Sequence, residues 1–388
     1  MKYRRDEKLL VTRPAHPPMD KFQVYLDRIW HTRWLTNNGP IQQELERHLC
    51  DYLGVEFISL FANGTLALIT ALKSLKLKGE IITTPFTSIE TALAIHWNQL
   101  QPVFADINSD DFNIDISKIE KLITPDTCAI LPVHIFGNPC NLDGLNELAK
   151  KYKLKLIYDA AHCFGVEQNG VSICNYGDLS VLSFHATKVF NTIEGGAVFS
   201  HDKKSKDLID ALANSGKLPE YQFAGFGLNA KLNEVQSAYG IVLLDYMDQY
   251  ISQRKIAVER YRELLRNLKG IQFLSEKENI TYNYSYFPVL VNSEDFGATR
   301  DELAKYLFDC NIQTKKYFHP LITDYPEFKD CKSGQLTNAR SIADTILCLP
   351  MFHDITIEEQ HAVVSSILEL QNDILNAESN LLSEFKGQ

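Results

Sequence analysis

The residue best suited to covalent chemistry is a lysine in an apolar loop. Lys188 lies within Leu182-Ser-Phe-His-Ala-Thr-Lys-Val-Phe-Asn-Thr-Ile-Glu-Gly-Gly-Ala, among Ser, His, Thr and Asn side chains. A lysine in a partly desolvated pocket loses its proton more readily and becomes a nucleophile. Most lysines are solvated surface groups, but Phe184, Val189, Phe190 and Ile193 make this loop too apolar for that. Asp159 is the second candidate, in Leu156-Ile-Tyr-Asp-Ala-Ala-His, at the C-terminal end of an apolar run. In open α/β sheets that end of a strand faces ligands. A carboxylate there can face a cationic ring nitrogen, ligate a metal or cap the next helix. The third signal is Phe61-Ala-Asn-Gly-Thr-Leu-Ala-Leu, where Gly64 and Thr65 turn a strand into an amphipathic helix. Free N–H groups at a helix N-terminus favour an anion such as phosphate. The plainer alternative is an Asn-Gly turn with Thr65 as the N-cap.

Together these are the parts that a pyridoxal phosphate (PLP) site needs. A lysine forms the Schiff base, an acid keeps the pyridine nitrogen protonated, and a helix N-terminus takes the phosphate. Their order along the chain is phosphate turn, acid, lysine.

The elements that must position them follow from the hydrophobic pattern. Candidate strands are Phe57–Leu60, Glu80–Thr83, Pro102–Asp106, Cys128–His134, Leu154–Asp159, Leu179–Phe184 and Gly196–Phe199. Helical periodicity lies between several of them, at Thr65–Leu75, Glu90–Trp97, Ile116–Ile123 and Leu142–Tyr152. That alternation predicts an α/β fold with a mainly parallel sheet. One long helix is expected over about Asn233–Leu268. A strand at Tyr284–Val291 and helices at Arg300–Cys310 and Ile357–Asn376 then suggest a smaller α+β domain. The division expected is a large domain over 1–245, with the N-terminal segment, and a second over 246–388.

Composition narrows the function classes. A chain of 388 residues with 45% hydrophobic and 23% charged residues has material for a large core. Its net charge of −10 disfavours nucleic acid, so an anionic ligand must be held by a local site. Eight scattered cysteines without a Cys-x-x-Cys pair suggest free thiols and a cytoplasmic protein, with no metal site expected. The start, MKYRRDEKLL, has no apolar stretch behind its basic residues, so no signal peptide is expected. No apolar run approaches the roughly 18 residues of a membrane span.

At this point the sequence resembles a known family, the DegT-type nucleotide-sugar aminotransferases, a branch of the fold-type-I PLP enzymes. The resemblance is carried by Leu35-Thr-Asn-Asn-Gly-Pro, Ala62-Asn-Gly-Thr-Leu-Ala-Leu, Phe104-Ala-Asp-Ile, Pro132-Val-His-Ile-Phe-Gly, Asp159-Ala-Ala-His, Ser183–Gly196 and Gly227-Leu-Asn-Ala-Lys-Leu-Asn-Glu. It implies the Schiff-base role for Lys188 and the pyridinium partner in Asp159. Gly64, Thr65 and Ser183 are implied phosphate ligands, and His162 is implied to lie against the cofactor. Asn229 is implied to reach the phosphate of a neighbouring subunit's cofactor, making a homodimer with shared sites. One departure stands out: where the family usually has an aromatic residue stacked on the cofactor, this chain has Ser88, with Phe86 nearby. His134 reads as a core histidine. The patch Lys315, Lys316, Tyr317 and His319, together with Asn38, is a candidate for the diphosphate of the sugar substrate; a solvated loop is the alternative.

The resemblance further implies amination at C-4 of dTDP-4-keto-6-deoxyglucose with L-glutamate as donor, giving dTDP-4-amino-4,6-dideoxyglucose. The alternatives are C-3 amination of a dTDP-3-keto-6-deoxyhexose and C-4 amination of a GDP-linked keto sugar. Related sugar dehydratases have His in place of the lysine, so Lys188 argues against that chemistry. An intact lysine, acid and phosphate turn argue against an inactive regulatory relative.

Overall fold

The computed structural model describes residues 7–386, with side chains described through residue 377. Residues 1–6, which belong to the basic N-terminal stretch, and 387–388 lie outside the described residues.

Two helices, α1 (Met19–Thr32) and α2 (Pro40–Leu53), precede the sheet. The short apolar runs then form β1 (Phe57–Phe61), β2 (Glu80–Thr83), β3 (Gln101–Phe104), β4 (Thr127–Ile130) and β5 (Lys155–Asp159). After a small ribbon, β6 (Glu167–Gln168) and β7 (Val171–Ser172), come β8 (Leu179–Ser183) and β9 (Gly196–Ser200). The helices between and after them are α3 (Gly64–Ser74), α4 (Ile89–Trp97), α5 (Ile116–Glu120), α6 (Leu142–Tyr152) and α7 (Lys203–Ala213). The sheet order is β1-β9-β8-β5-β4-β2-β3. Strand β9 is antiparallel to both of its neighbours, and every other pairing in this sheet is parallel. Strands β5 and β8 are buried along nearly their whole length, as expected when helices cover both faces of a parallel sheet.

The single long helix expected over Asn233–Leu268 is instead two, α8 (Glu234–Leu244) and α9 (Met247–Leu265). The reason is packing. Helix α8 buries residues all round, from Ser237 to Leu244, against α1 and α2. Helix α9 buries one stripe, including Ala257, Val258, Tyr261 and Leu265, and packs on the last helix. One straight helix cannot serve both surfaces, and the chain turns at Tyr246, with φ −106° and ψ −2°.

The C-terminal part continues with β10 (Ile271–Phe273), β11 (Ile280–Thr281), β12 (Phe287–Val291) and β13 (Ile346–Leu349). Its helices are α10 (Ser293–Phe296), α11 (Arg300–Asp309), α12 (Thr337–Thr345) and α13 (Ile357–Lys386). Strands β10, β12 and β13 make an antiparallel sheet, while β11 pairs with β6. Tyr261, Phe287, Leu303, Leu347 and Val363 centre its core; full burial of each such side chain is worth roughly 1.5–3 kcal/mol. Leu9 is buried in that same core and bridges to Ile312, whereas Ala15 of the same segment is buried in the core of the large sheet.

Candidate active site

Lys188 is presented by the loop that joins β8 to β9. The loop folds back on itself: the Phe184 N–H donates to the Gly195 carbonyl at 2.8 Å and the Thr192 N–H to the Phe184 carbonyl at 2.9 Å. Phe184 and Phe190 pack edge to face at 4.9 Å, and Phe164 stacks on Phe190 at 4.4 Å. This buried aromatic plug fixes the loop and leaves Lys188 lining a cavity of about 470 Å³. Its Nζ is 3.4 Å from the Tyr286 hydroxyl, the outer limit of a hydrogen bond. Burial pulls the ammonium down to about 8, while the Asp159 and Glu90 carboxylates act in the opposite sense.

Asp159 ends β5 inside the same cavity and is buried. The Thr91 hydroxyl donates to its Oδ2 at 2.8 Å and the Ala161 N–H to its Oδ1 at 3.2 Å. Burial raises its pKa, and these two donors and Lys188 only partly offset that. No helix begins directly after it, so the helix-cap reading falls away. Thr91 comes from the first turn of α4, and Thr87 holds it through a 3.2 Å hydroxyl contact.

The N-terminus of α3 opens onto the cavity through Asn63, Gly64 and Thr65. The N-cap is Asn63, whose Oδ1 accepts from the Leu66 N–H at 2.8 Å, and not Thr65. The Thr65 hydroxyl is therefore left to the cavity. Ser183, at the end of β8, stands beside this turn. A Cβ on Gly64 would come within 2.9 Å of the Ser183 Cβ, and a Cβ on Gly196 would meet the Asn63 carbonyl at 2.8 Å. Both glycines let backbone and hydroxyl close around one small volume.

His162 completes the wall. Its Nδ1 accepts from the Phe136 N–H at 3.1 Å, which places the ring hydrogen of the neutral form on Nε2. Burial, and then Lys188, hold its pKa well below the usual histidine range. The rings of His162, Phe136 and Phe318 lie within 7° of parallel, 6.0 to 6.3 Å apart. Phe86 is fully buried behind them, edge-on to Phe136 and Phe318, and does not line the cavity. Ser88 does line it, hydrogen-bonded to Glu90. His134 lies in the core, stacked on Tyr158 at 4.6 Å, with its Nδ1 accepting from the Cys140 N–H at 3.0 Å.

The fold thus gathers Gly64, Thr65, Asp159, His162, Ser183, Lys188 and Tyr317 into one cleft. Lys315, Lys316, His319, Asn38 and Asn229 do not line it. Lys316 is paired with Asp301 at 2.6 Å, and Lys315 and His319 are exposed. The Asn38 carbonyl accepts from the Gln43 side chain, and Asn229 is exposed with its Oδ1 bonded to Lys231 Nζ at 2.6 Å. Thr91, Glu90 and Tyr286 were not singled out in the sequence. Thr91 and Glu90 open a helix after a Thr-Pro turn, which was a usable signal; Tyr286 joins from the C-terminal part and left none.

A sequence profile describing the DegT/DnrJ/EryC1/StrS aminotransferase family matches residues 19–368. The chain belongs to this family. A dTDP-4-amino-4,6-dideoxy-D-glucose transaminase from Shigella dysenteriae is 46% identical over 94% of this chain and 100% of its own. One of the same name from Escherichia coli is 44% identical over 91% of this chain and 96% of its own. Among solved structures, DesI crystallised in the presence of its TDP-sugar product has a TM-score of 0.91 at 31% identity, covering 98% of this chain and 97% of that one. As a family member the chain is a sugar aminotransferase of the PLP-dependent type. Among the described residues no helix is long and apolar enough to cross a membrane.

Proposed function

We propose that this protein binds PLP and transfers the amino group of L-glutamate to C-4 of dTDP-4-keto-6-deoxyglucose, forming dTDP-4-amino-4,6-dideoxyglucose. The observation that carries the reading is the convergence of Lys188, Asp159 and the α3 N-terminus on one cavity. The choice of sugar rests on the similarity to the Shigella dysenteriae and Escherichia coli transaminases.

The residues fit the cofactor. Asp159 is a buried carboxylate whose raised pKa marks incomplete compensation, so a cationic ring nitrogen would suit it. The Gly64–Thr65 turn and the Ser183 hydroxyl offer phosphate donors at a helix N-terminus. His162, kept neutral by burial, offers a flat ring face. When bound, PLP supplies an aldehyde for amines and a ring that withdraws electrons from the donor carbon. Lys188 is the nucleophilic amine that anchors it and the base that moves the proton at that carbon. With a pKa of about 8, it holds a usable neutral fraction near neutral pH. His162 and Phe318, which line the cavity, would keep water from one side.

Of the basic patch, Tyr317 is the member on the cavity wall; Lys315 and His319 would have to reach over the rim to meet a diphosphate. The active unit in this reading is a homodimer. Supporting it, Asn229 lies outside its own cavity, next to exposed Phe223, Phe226 and Leu228, an apolar patch suited to a partner surface. Among the described residues no disulfide joins the cysteines, which fits a reducing cytoplasm.

The test is incubation with PLP, L-glutamate and a panel of dTDP- and GDP-linked keto sugars, with the amino sugar identified by mass spectrometry and NMR. A C-4 amine on the dTDP-linked glucose sugar is expected. A 3-amino or GDP-linked product would overturn the substrate assignment, and no amine from any sugar would overturn the activity.

A further inference from the structure

The first turn of α4 brings a second carboxylate into the cleft. Ser88, Glu90 and Thr91 all line the cavity that holds Lys188 and Asp159. Ser88 is the N-cap residue of α4, and a serine there ordinarily accepts a hydrogen bond from a helix N–H. Here it makes no side-chain cap. Its hydroxyl instead donates to the Glu90 carboxylate. The adjacent Thr91 serves Asp159. One helical turn therefore fixes both acids that face the lysine. A glutamate in a first turn also favours the helix dipole, but that needs no cavity position and no diverted cap.

We propose that Glu90, clamped by Ser88, is a positioning residue of the reaction centre, a second negative charge that sets the protonation of the Lys188 nitrogen in both its free and its cofactor-bound form. The proposal rests on the PLP reading above. The charged and titratable groups around Lys188 are Asp159 from β5, Glu90 from α4, His162 after β5, and Tyr286 and Tyr317 from the C-terminal part. His185 and Glu194 flank it on its own loop, 3.7 Å from one another. His162 is held neutral by burial, and burial holds the two tyrosines protonated well above neutral pH. At Lys188 the Glu90 charge works against burial, in the same direction as Asp159; at Asp159 it works with burial. Because Glu90 is exposed at the mouth of the cleft, its influence is open to screening by salt.

The test compares wild type, Glu90→Gln and Ser88→Ala by two titrations. In the PLP-loaded protein, the near-visible absorbance band is followed against pH. In the cofactor-free protein, acylation of Lys188 is followed against pH by peptide mapping. Removing a negative charge disfavours the protonated nitrogen, so both midpoints in Glu90→Gln should fall by about half a pH unit or more at low salt. The difference should shrink in molar salt. Ser88→Ala should give a smaller shift in the same direction, since the carboxylate is no longer held over the cleft. Midpoints that stay put or rise in Glu90→Gln, in a protein whose wild type shows the band, overturn this inference alone. A wild type that never develops the band overturns the PLP reading, and the role at the bound nitrogen with it; the acylation midpoints then decide the free-lysine part on their own.

Discussion

Gly64 and Ser183 lie so close that a Cβ added to the glycine would stand 2.9 Å from the serine's Cβ and 3.1 Å from its Oγ. The serine ends a strand and cannot retreat without disturbing β8. Gly64→Ala should therefore shift the end of β8 and carry Ser183 Oγ away from the proposed phosphate position, with the rest of the fold retained. PLP affinity should fall on the order of tenfold or more, as expected when a charge-assisted hydrogen bond worth about 1.5–3 kcal/mol is lost. Equilibrium dialysis against PLP measures it; unchanged affinity would place the phosphate elsewhere.

Thr91 donates to the carboxylate of Asp159 at 2.8 Å from a fully buried position. Thr91→Val keeps the shape and deletes the donor. The ionised form of Asp159 loses a partner, so its proton affinity rises further. Turnover should drop about tenfold, and the acid limb of the pH–rate profile should move to higher pH. A profile with an unmoved acid limb counts against Asp159 acting in its ionised form.

The lysine pKa of about 8 gives a signed expectation for cofactor capture. Only the neutral amine attacks an aldehyde, so the rate of PLP uptake should climb with pH and level off above about 8. Stopped-flow absorbance reads it. Lys188→Ala should show no covalent capture at any pH, and borohydride reduction of the wild type should fix the cofactor on Lys188. Labelling on another lysine would end the assignment.

How far the sequence carried this picture differs from residue to residue. The seven strands of the large sheet were visible because each is a short apolar run between turn signals, and a parallel sheet buries such runs on both faces. Lys188, Asp159 and the Gly64 turn were visible because each sits where a strand ends. The partners of these groups were not. Thr91 is 68 residues from Asp159 and Tyr286 is 98 from Lys188, and no local pattern reports a contact across such distances. The break between α8 and α9 was hidden for a related reason. Both halves are helix formers, and only their different packing surfaces separate them. Asn63 displaced Thr65 as the cap because the helix already starts at Gly64, which puts Thr65 inside its first turn.

The shared-site reading predicts complementation between inactive chains. Lys188→Ala and Asn229→Ala should each be impaired alone. Mixed and allowed to exchange, they should regain activity, since a hybrid dimer holds one site with both native residues. Exchange is verified by tagged chains and mass photometry. Verified hybrids without recovery would restrict each site to a single chain.

Glu234 offers a test of the framework. It is buried, and its two carboxylate oxygens accept the N–H groups of Ile41 at 3.0 Å and Gln42 at 2.8 Å. It thereby caps α2, where Gly39 has no side chain to do so. Glu234→Ala strands two buried donors and should cost about 1–3 kcal/mol in urea unfolding. A loss below a few tenths of a kcal/mol would mean that water replaces the cap.

Strand order has a consequence for the nascent chain. β1 is the first of the named strands to be made, yet its neighbour in the sheet is β9. Until residues 196–200 leave the ribosome, β1 is an apolar edge with nothing to pair with, and the turn that follows it lacks the Gly196 backbone packed against Asn63. Such an edge invites misassociation, and closing so long a loop is slow. Synthesis arrested anywhere before β9 should therefore yield a chain that chaperones hold, whereas arrest far enough beyond β9 for residues 196–200 to have left the ribosome should allow β1 to pair.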